Sequence, residues 1–150
     1  MNIAVGCDHA GWGLKNVIVE HLKKRGHAVT EVFPDCYDPQ DDYPDAAAAV
    51  GRAVASGRAE RGLILCGSGV GASVVANKIR GVRAGLCHDN YSAHQGVEHD
   101  DVNVLCLGAR VIGEAPALEI VDAFLGARFT GEERHARRLK KLLAIEAEGR

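Results

Sequence analysis

One stretch near the middle of the chain restricts the fold more than any other. Three apolar residues, Leu63 to Leu65, lead into Cys66, and residues 67–71 then alternate glycine with Ser68 and Val70. This order is typical of a buried strand that turns through a glycine loop into a helix. Backbone N–H groups converge in such a loop and can bind an anion. A thiol at its edge suits a nucleophile, or a base beside developing negative charge.

Strand-like and helical segments alternate along the whole chain. The strands are short and apolar, which is typical of a parallel sheet that is covered by helices. We expect strands at about 3–5, 28–32, 62–65, 82–87 and 103–107, and helices at about 13–25, 44–56, 72–79, 90–99, 117–126 and 132–147. The pattern predicts a single α/β domain over 1–150, a three-layer α/β/α sandwich with a five-stranded parallel Rossmann-like sheet and right-handed crossovers. The last helix is amphipathic and is expected to dock on a partner subunit.

Composition excludes several classes of protein. The 150 residues carry a net charge of −2, which argues against general nucleic-acid binding. No apolar run reaches membrane-spanning length, and the N-terminus lacks signal-peptide features, so we expect a cytoplasmic location with no membrane partner. The five cysteines are odd in number and contain no C-x-x-C pair, which disfavours a disulfide framework or a zinc site.

Polar side chains collect where the expected strands end, which is where α/β sheets bind ligands. Arg134 and Arg138 are four residues apart and share a helix face, which suits a phosphate. The same spacing equally allows ion pairs with acidic neighbours. Taken alone, His99 fits an ordinary surface histidine better, and Arg110 could pair with an aspartate. The complete set is Asp8, His9, Cys66, His88, Asp89, His99, Asp100, Asp101, Arg110, Arg134, His135, Arg137 and Arg138, of which Arg137 points away from the face shared by Arg134 and Arg138.

The glycine loop allows more than one chemistry. Gly67-x-Gly69-x-x-Ala72 formally fits the dinucleotide fingerprint of an oxidoreductase, and Asp89 ends the next strand at the position of a ribose-binding acid. That fingerprint normally follows the first strand of its fold, however, and it leaves Cys66 without a role. A thiol before a glycine loop is also found in thiol phosphatases. That chemistry needs an arginine at the end of the loop, where this chain has Ala72 and Ser73, so the phosphatase interpretation is rejected.

A sugar-phosphate isomerase is the third interpretation. Aldose–ketose interconversion moves a proton between adjacent carbons through an enediolate, so it needs a base, oxyanion donors and a carrier between two oxygens. Ring-forming sugars also need an acid and a base for opening, and a phosphate grip supplies orientation. The thiol, the loop amides, the Ser68 hydroxyl, Asp8, the histidines and the basic pair match these requirements.

Eight short motifs, taken together, indicate a resemblance to a known family. They are Gly6-Cys7-Asp8-His9-Ala10-Gly11, Asp42-Tyr43-Pro44-Asp45, Cys66-Gly67-Ser68-Gly69-Val70-Gly71, Ala76-Asn77-Lys78, Tyr91-Ser92-Ala93, Asn103-Val104-Leu105, Leu107-Gly108-Ala109-Arg110-Val111-Ile112-Gly113 and Arg134-His135. From residue 2 to about residue 140, the chain resembles the ribose/galactose isomerase family, and its type B ribose-5-phosphate isomerases in particular.

The resemblance implies a set of catalytic roles. Cys66 abstracts the proton next to the carbonyl, and the amides of residues 67–71 hold the enediolate. Ser68 stands where the family often has threonine and helps move the proton between O1 and O2. Asp8 and His99 open the furanose ring. The expected reaction is the interconversion of ribose 5-phosphate and ribulose 5-phosphate.

The resemblance also implies the binding residues and the partners. It assigns the phosphate to His9, Arg134 and Arg138, assisted by Arg110, and it has Tyr43 line the pocket. The substrate-binding set is His9, Tyr43, Gly67, Ser68, Gly69, Val70, Gly71, Asp100, Arg110, Arg134 and Arg138. The family works without metal or cofactor, as a homodimer or a dimer of dimers whose sites lie between subunits.

Two departures from the family pattern bear on specificity. Asp100 stands where the family commonly has asparagine, so an amide donor is lost and a negative charge is added near a phosphorylated ligand. The approach to Arg134 is one residue longer than usual, and the arginine–histidine pair sets the alignment. The preferred sugar therefore stays open among ribose, allose and galactose phosphates.

Overall fold

The computed structural model describes residues 1–149, which form a five-stranded sheet with helices on both faces. All strand pairs are parallel, and the strand order is β2-β1-β3-β5-β4. The strands are β1 (Asn2–Cys7), β2 (Ala28–Phe33), β3 (Arg61–Cys66), β4 (Ala84–Leu86) and β5 (Val104–Gly108). The helices are α1 (Trp12–Lys24), α2 (Tyr43–Ala55), α3 (Val70–Ala76), α4 (Asn90–Asp100), α5 (Glu114–Gly126) and α6 (Glu133–Glu148). The predicted α/β class and five-stranded parallel sheet are confirmed.

The core has two halves, one on each face of the sheet. Side chains of β3 alternate between them, because successive residues of a strand point to opposite faces. Leu63 and Leu65 pack with α1, α4 and α5, whereas Ile64 and Cys66 pack with α2 and α3. The neighbouring strands β1 and β3 are thus followed by helices on opposite faces. A crevice opens beyond the ends of such a strand pair, and ligands bind there in open α/β sheets.

The edge strands differ from the prediction. We expected every strand to be apolar on both faces, but β2 is largely exposed, and its Glu31 forms an ion pair with the buried Lys15 at 2.6 Å.

Helix α3 is shorter than predicted: it was expected to reach about residue 79 but ends at Ala76. The Asn77 side chain donates to the Ser73 carbonyl and to the Ala84 carbonyl, both at 2.9 Å, and so joins the end of α3 to β4.

The C-terminal helix lies within one residue of its predicted bounds. Its apolar residues are only partly covered: the exposed fractions are 41% for Leu142, 41% for Leu143 and 68% for Ile145. Across residues 1–149, no helix combines the length and the apolar content that a membrane span requires.

Candidate active site

The carboxyl ends of β1, β3 and β5 surround a cavity of about 530 Å³. It is lined by Asp8, Tyr43, Cys66, Gly67, Ser68, Val70, Gly71, Arg110 and Val111. All of these residues except Val111 are among the predicted site residues; Val111 lies in a family motif, next to Arg110, but no role was predicted for it. The structure therefore brings together the thiol, the glycine loop, one acid and one arginine.

Cys66 ends β3 at the mouth of the glycine loop. Its residue surface is 5% exposed, and its Sγ accepts a hydrogen bond from the backbone N–H of Gly69 at 3.0 Å. Gly69 has φ 81°, a left-handed conformation that glycine adopts without steric cost. That turn directs the N–H at the sulfur, where it stabilises negative charge. The arrangement suits a thiol that works as a base.

The glycine loop is braced by the chain that follows β5. The backbone N–H of Ala109 donates to the Cys66 carbonyl at 2.8 Å, and that of Arg110 donates to the Gly67 carbonyl at 3.0 Å. A Cβ on Gly108 would lie 2.6 Å from the Ser68 backbone, so only glycine allows this close approach. The loop is thus held rigidly, with the Ser68 hydroxyl accepting from the Val70 N–H at 3.3 Å.

Asp8 has a structural contact as well as a place in the cavity. Its Oδ1 accepts from the N–H groups of Ala10 and Gly11, at 3.0 and 3.1 Å, and so caps a short 3-10 turn at His9–Gly11. The same residue lines the cavity beside Cys66. The capping interpretation and the functional interpretation of Asp8 are therefore compatible.

His9 follows Asp8 and pairs with a residue that sequence reasoning missed. The Asp41 Oδ1 lies 2.9 Å from the His9 Nδ1 and accepts the His9 backbone N–H at 2.7 Å. The composition of the aspartate-rich loop at 34–44 is typical of a solvated segment, and only the fold shows that Asp41 differs from its neighbours. The bond to Asp41 is the main cause that raises the pKa of His9 above its ordinary value, while desolvation opposes it.

Four predicted site residues, His99, Asp100, Arg134 and Arg138, lie at the end of the sheet where the strands begin, opposite to the cavity. The prediction that His99 and Asp100 lie at the carboxyl ends of the strands is wrong within one chain. The parallel strands β4 and β5 require α4 to run back, so its last residues reach the edge where strands begin. Arg134 and Arg138 open α6 at that same edge, where the ring of His135 lies 3.9 Å from that of His99. Arg134 also binds Glu132, through its Nε at 3.1 Å.

The other buried thiols differ from Cys66 in their surroundings. Burial raises the pKa of Cys7 to about 12, and it also raises the pKa values of Cys87 and Cys106. These three stay protonated near neutral pH and pack as small apolar groups. Cys87 and Cys106 lie inside apolar stretches of the sequence, and their burial agrees with that role.

Asp89 has a structural use that weakens the dinucleotide interpretation. Its Oδ1 accepts the Ser92 N–H at 2.7 Å and caps the start of α4, and the hydrogen bonds from Ser92 lower the pKa of Asp89. The carboxylate is therefore explained without a ribose. The glycine loop also follows β3, one of the inner strands of the sheet, rather than β1.

Comparison with known proteins identifies the family. The family model described as Ribose/Galactose Isomerase matches residues 3–142. The chain belongs to the ribose/galactose isomerase family. This family includes Ribose-5-phosphate isomerase B of Escherichia coli, which is 46% identical over 144 residues, covering 96% of this chain and 95% of that protein.

Two further members show how the family varies. D-erythrulose-4-phosphate isomerase of Pectobacterium atrosepticum is 43% identical over 134 residues, or 87% of this chain and 86% of that protein. A solved structure of Ribose-5-phosphate Isomerase B from Mycoplasma genitalium with bound Ribulose-5-phosphate has 40% identity and a TM-score of 0.93. The match covers 98% of this chain and 97% of the Mycoplasma chain. The resemblance given by the sequence motifs is thereby confirmed.

Proposed function

We propose that this chain interconverts ribose 5-phosphate and ribulose 5-phosphate, with Cys66 as the base. The observation that carries the proposal is the sulfur of Cys66, which accepts a main-chain N–H inside a cavity that Asp8 and Ser68 also line. The names of the Escherichia coli and Mycoplasma genitalium relatives and the ligand of the latter support this choice of substrate.

The reaction follows from the groups around the sulfur. Cys66 takes the proton from C2 of the open aldose, and the electron pair forms the C1–C2 double bond of an enediolate. The amides of residues 67–71 stabilise its negative oxygen, and stabilisation by such preorganised donors is usually the largest single contribution to catalysis. Ser68 helps carry the proton from O2 to O1, and the proton on sulfur is delivered to C1. Bonds and charges balance without a cofactor.

The remaining roles require a second copy of the chain. Ring opening is assigned to Asp8 with His99, and phosphate binding to His9, Arg134 and Arg138, assisted by Arg110. Because His99 is the tenth residue of α4 and the helix rises about 1.5 Å per residue, His99 is on the order of 14 Å from the end of the sheet that carries Cys66. In a homodimer, or in a dimer of dimers, the cavity of one copy can face the His99 of the other copy, so that both groups contribute to one site. The exposed apolar residues of α6 suit docking on that partner.

Substrate choice rests on residues at the rim. Tyr43 lines the cavity and packs against Gly71, where a Cβ would lie 2.6 Å from its ring. Asp100 is exposed next to His99, and in a shared site it places a carboxylate near the ligand hydroxyls. Because the Pectobacterium relative is named for a four-carbon sugar phosphate, the length of the sugar is the property to be tested.

The decisive experiment is turnover in deuterated water. The protein is incubated with ribose 5-phosphate, allose 6-phosphate, galactose 6-phosphate and D-erythrulose 4-phosphate, and product formation and solvent deuterium in the product are followed. We expect fastest turnover of ribose 5-phosphate, with solvent deuterium incorporated at C1 of ribulose 5-phosphate. If none of the four reacts while NAD or NADP binds saturably, the oxidoreductase alternative replaces this proposal.

A further inference from the structure

A buried carboxylate stands just outside the residues that line the cavity. Asp41 lies in the loop between β2 and α2, and its side chain is only 5% exposed. One oxygen, Oδ1, accepts from the backbone N–H of His9 at 2.7 Å and lies 2.9 Å from the His9 Nδ1. The other oxygen, Oδ2, is buried and has no hydrogen-bond partner among the described residues.

The loop that carries Asp41 is held against the body of the fold. The ring of Tyr37 meets the ring of Trp12 edge-on, with centroids 5.9 Å apart, and Trp12 begins α1. The neighbouring Asp35 and Asp38 are exposed, so Asp41 is the member of this acidic loop that turns inward. Two bonds to one residue and a buried position mark a specific contact rather than a solvated charge.

The charge balance around His9 favours an imidazolium. Two acidic groups raise the pKa of His9: Asp41, chiefly through its hydrogen bond to the ring, and Asp8 through its charge. Asp8 already uses Oδ1 to cap the turn that contains His9. A carboxylate withdrawn from water with one oxygen unpaired is costly unless a positive charge lies beside it. The protonated ring of His9 supplies that charge.

We propose that Asp41 is a positioning residue that holds His9 as a cation, so that the N–H of the other ring nitrogen, Nε2, is available to the substrate's phosphate. This step rests on the proposed function, which assigns phosphate binding to His9. A charged donor bonds to phosphate about twice as strongly as a neutral one. With Asp41 in place, His9 keeps that charge at pH values where an isolated histidine, with a pKa of about 6.5, is neutral.

The test removes the charge and keeps the shape. Asp41→Asn retains an oxygen that can accept both bonds from His9. The matched control is Asp38→Asn, because Asp38 lies in the same loop, is exposed and uses its Oδ1 only to accept the Gln40 N–H. Both variants change the net charge equally. Ring titration of His9 by NMR in the full-length protein, and KM and kcat for ribose 5-phosphate at pH 6 and pH 8, are measured for all three proteins.

We expect His9 to titrate at a lower pH in Asp41→Asn than in the wild type and in Asp38→Asn. At pH 8 the KM of Asp41→Asn rises roughly tenfold, the scale of one charge-assisted hydrogen bond, whereas at pH 6 it stays within about twofold. The kcat changes little at either pH. A mere structural defect would raise KM equally at both values of pH.

Several results would overturn the inference. Wild-type His9 titrating at or below the value of an isolated histidine would do so, and this measurement needs no variant. Equal changes in KM for Asp41→Asn and Asp38→Asn, or a change independent of pH, would also do so. If the wild type turns over no sugar phosphate, the proposed function fails, while the titration of His9 still tests its pairing with Asp41.

Discussion

The imidazole rings of His99 and His135 lie against each other, with centroids 3.9 Å apart and planes inclined by 35°. His135 is 1% exposed, and neither of its ring nitrogens has a hydrogen-bond partner among the described residues. The Gln95 amide lies 2.8 Å from the His99 Nδ1 on the same helix. Two neighbours therefore orient His99: Gln95 through a hydrogen bond, and His135 through ring packing.

The first prediction concerns stability and pH. Burial is the main cause that lowers the pKa of His135, and the neighbouring His99 and Arg134 lower it further. Below about pH 6.5, His135 is therefore protonated in the unfolded chain but stays neutral in the folded chain. Because the unfolded chain then binds more protons, the free energy of unfolding falls as the pH drops below about 6.5 and rises as the pH increases. His135→Leu should flatten the dependence of the unfolding free energy on pH between pH 7 and pH 5, measured by urea unfolding at fixed protein concentration.

The control for this prediction is His27→Leu. His27 is a half-exposed histidine near Asp122 and Gly126, away from the His99–His135 contact. We expect this variant to keep the wild-type slope of unfolding free energy against pH. The comparison uses slopes, because His135→Leu also changes packing. Equal slopes in the wild type and His135→Leu would contradict the prediction.

The second prediction concerns the thiol. Cys66→Ala should lower kcat for ribose 5-phosphate by at least about 100-fold, because general-base catalysis contributes about 100- to 10,000-fold. Circular dichroism and thermal unfolding should change little, since the substitution removes one atom at the edge of a cavity. Cys36→Ala, which alters an exposed thiol, should retain full activity. A Cys66→Ala enzyme with wild-type kcat would exclude the thiol as the base.

Much of the fold could be predicted because its signals are local. The apolar strand before Cys66, the glycine loop and the helical spacing of Leu14, Ile18 and Leu22 each lie within a few turns of chain. The short β4 was harder, because its start depends on the Asn77 side chain, which reaches from the end of α3. Its predicted bounds were accordingly three residues too long in total.

The site was only partly predictable, for two physical reasons. The pairing of His9 with Asp41 joins residues 32 positions apart through a loop whose path no motif encodes. The position of His99 was deducible, since a helix between two parallel strands must end at the edge where strands begin. A polar residue that precedes a strand in the sequence therefore lies at the opposite end of the sheet from one that follows it.

The third prediction concerns the close approach behind the glycine loop. A Cβ on Gly108 would lie 2.6 Å from backbone atoms of Ser68, so Gly108→Ala must displace the loop. We expect a loss of about 1–3 kcal/mol in unfolding free energy and a fall in kcat, because the loop amides leave their positions. Gly13→Ala is the control, since nothing lies within 4 Å of its added Cβ. Equal kcat in both variants would contradict this prediction.

The fourth prediction tests whether one site draws on two copies of the chain. Cys66→Ala and His99→Asn should each be nearly inactive, yet a refolded equimolar mixture should regain about one quarter of wild-type activity. Half of the dimers are then mixed, and each mixed dimer has one intact site of two. Mixing Cys66→Ala with Ser68→Ala should restore nothing, because both residues line the cavity of one chain. Activity measured on both mixtures decides the matter, since residues that act within a single chain would leave the first mixture as inactive as the second.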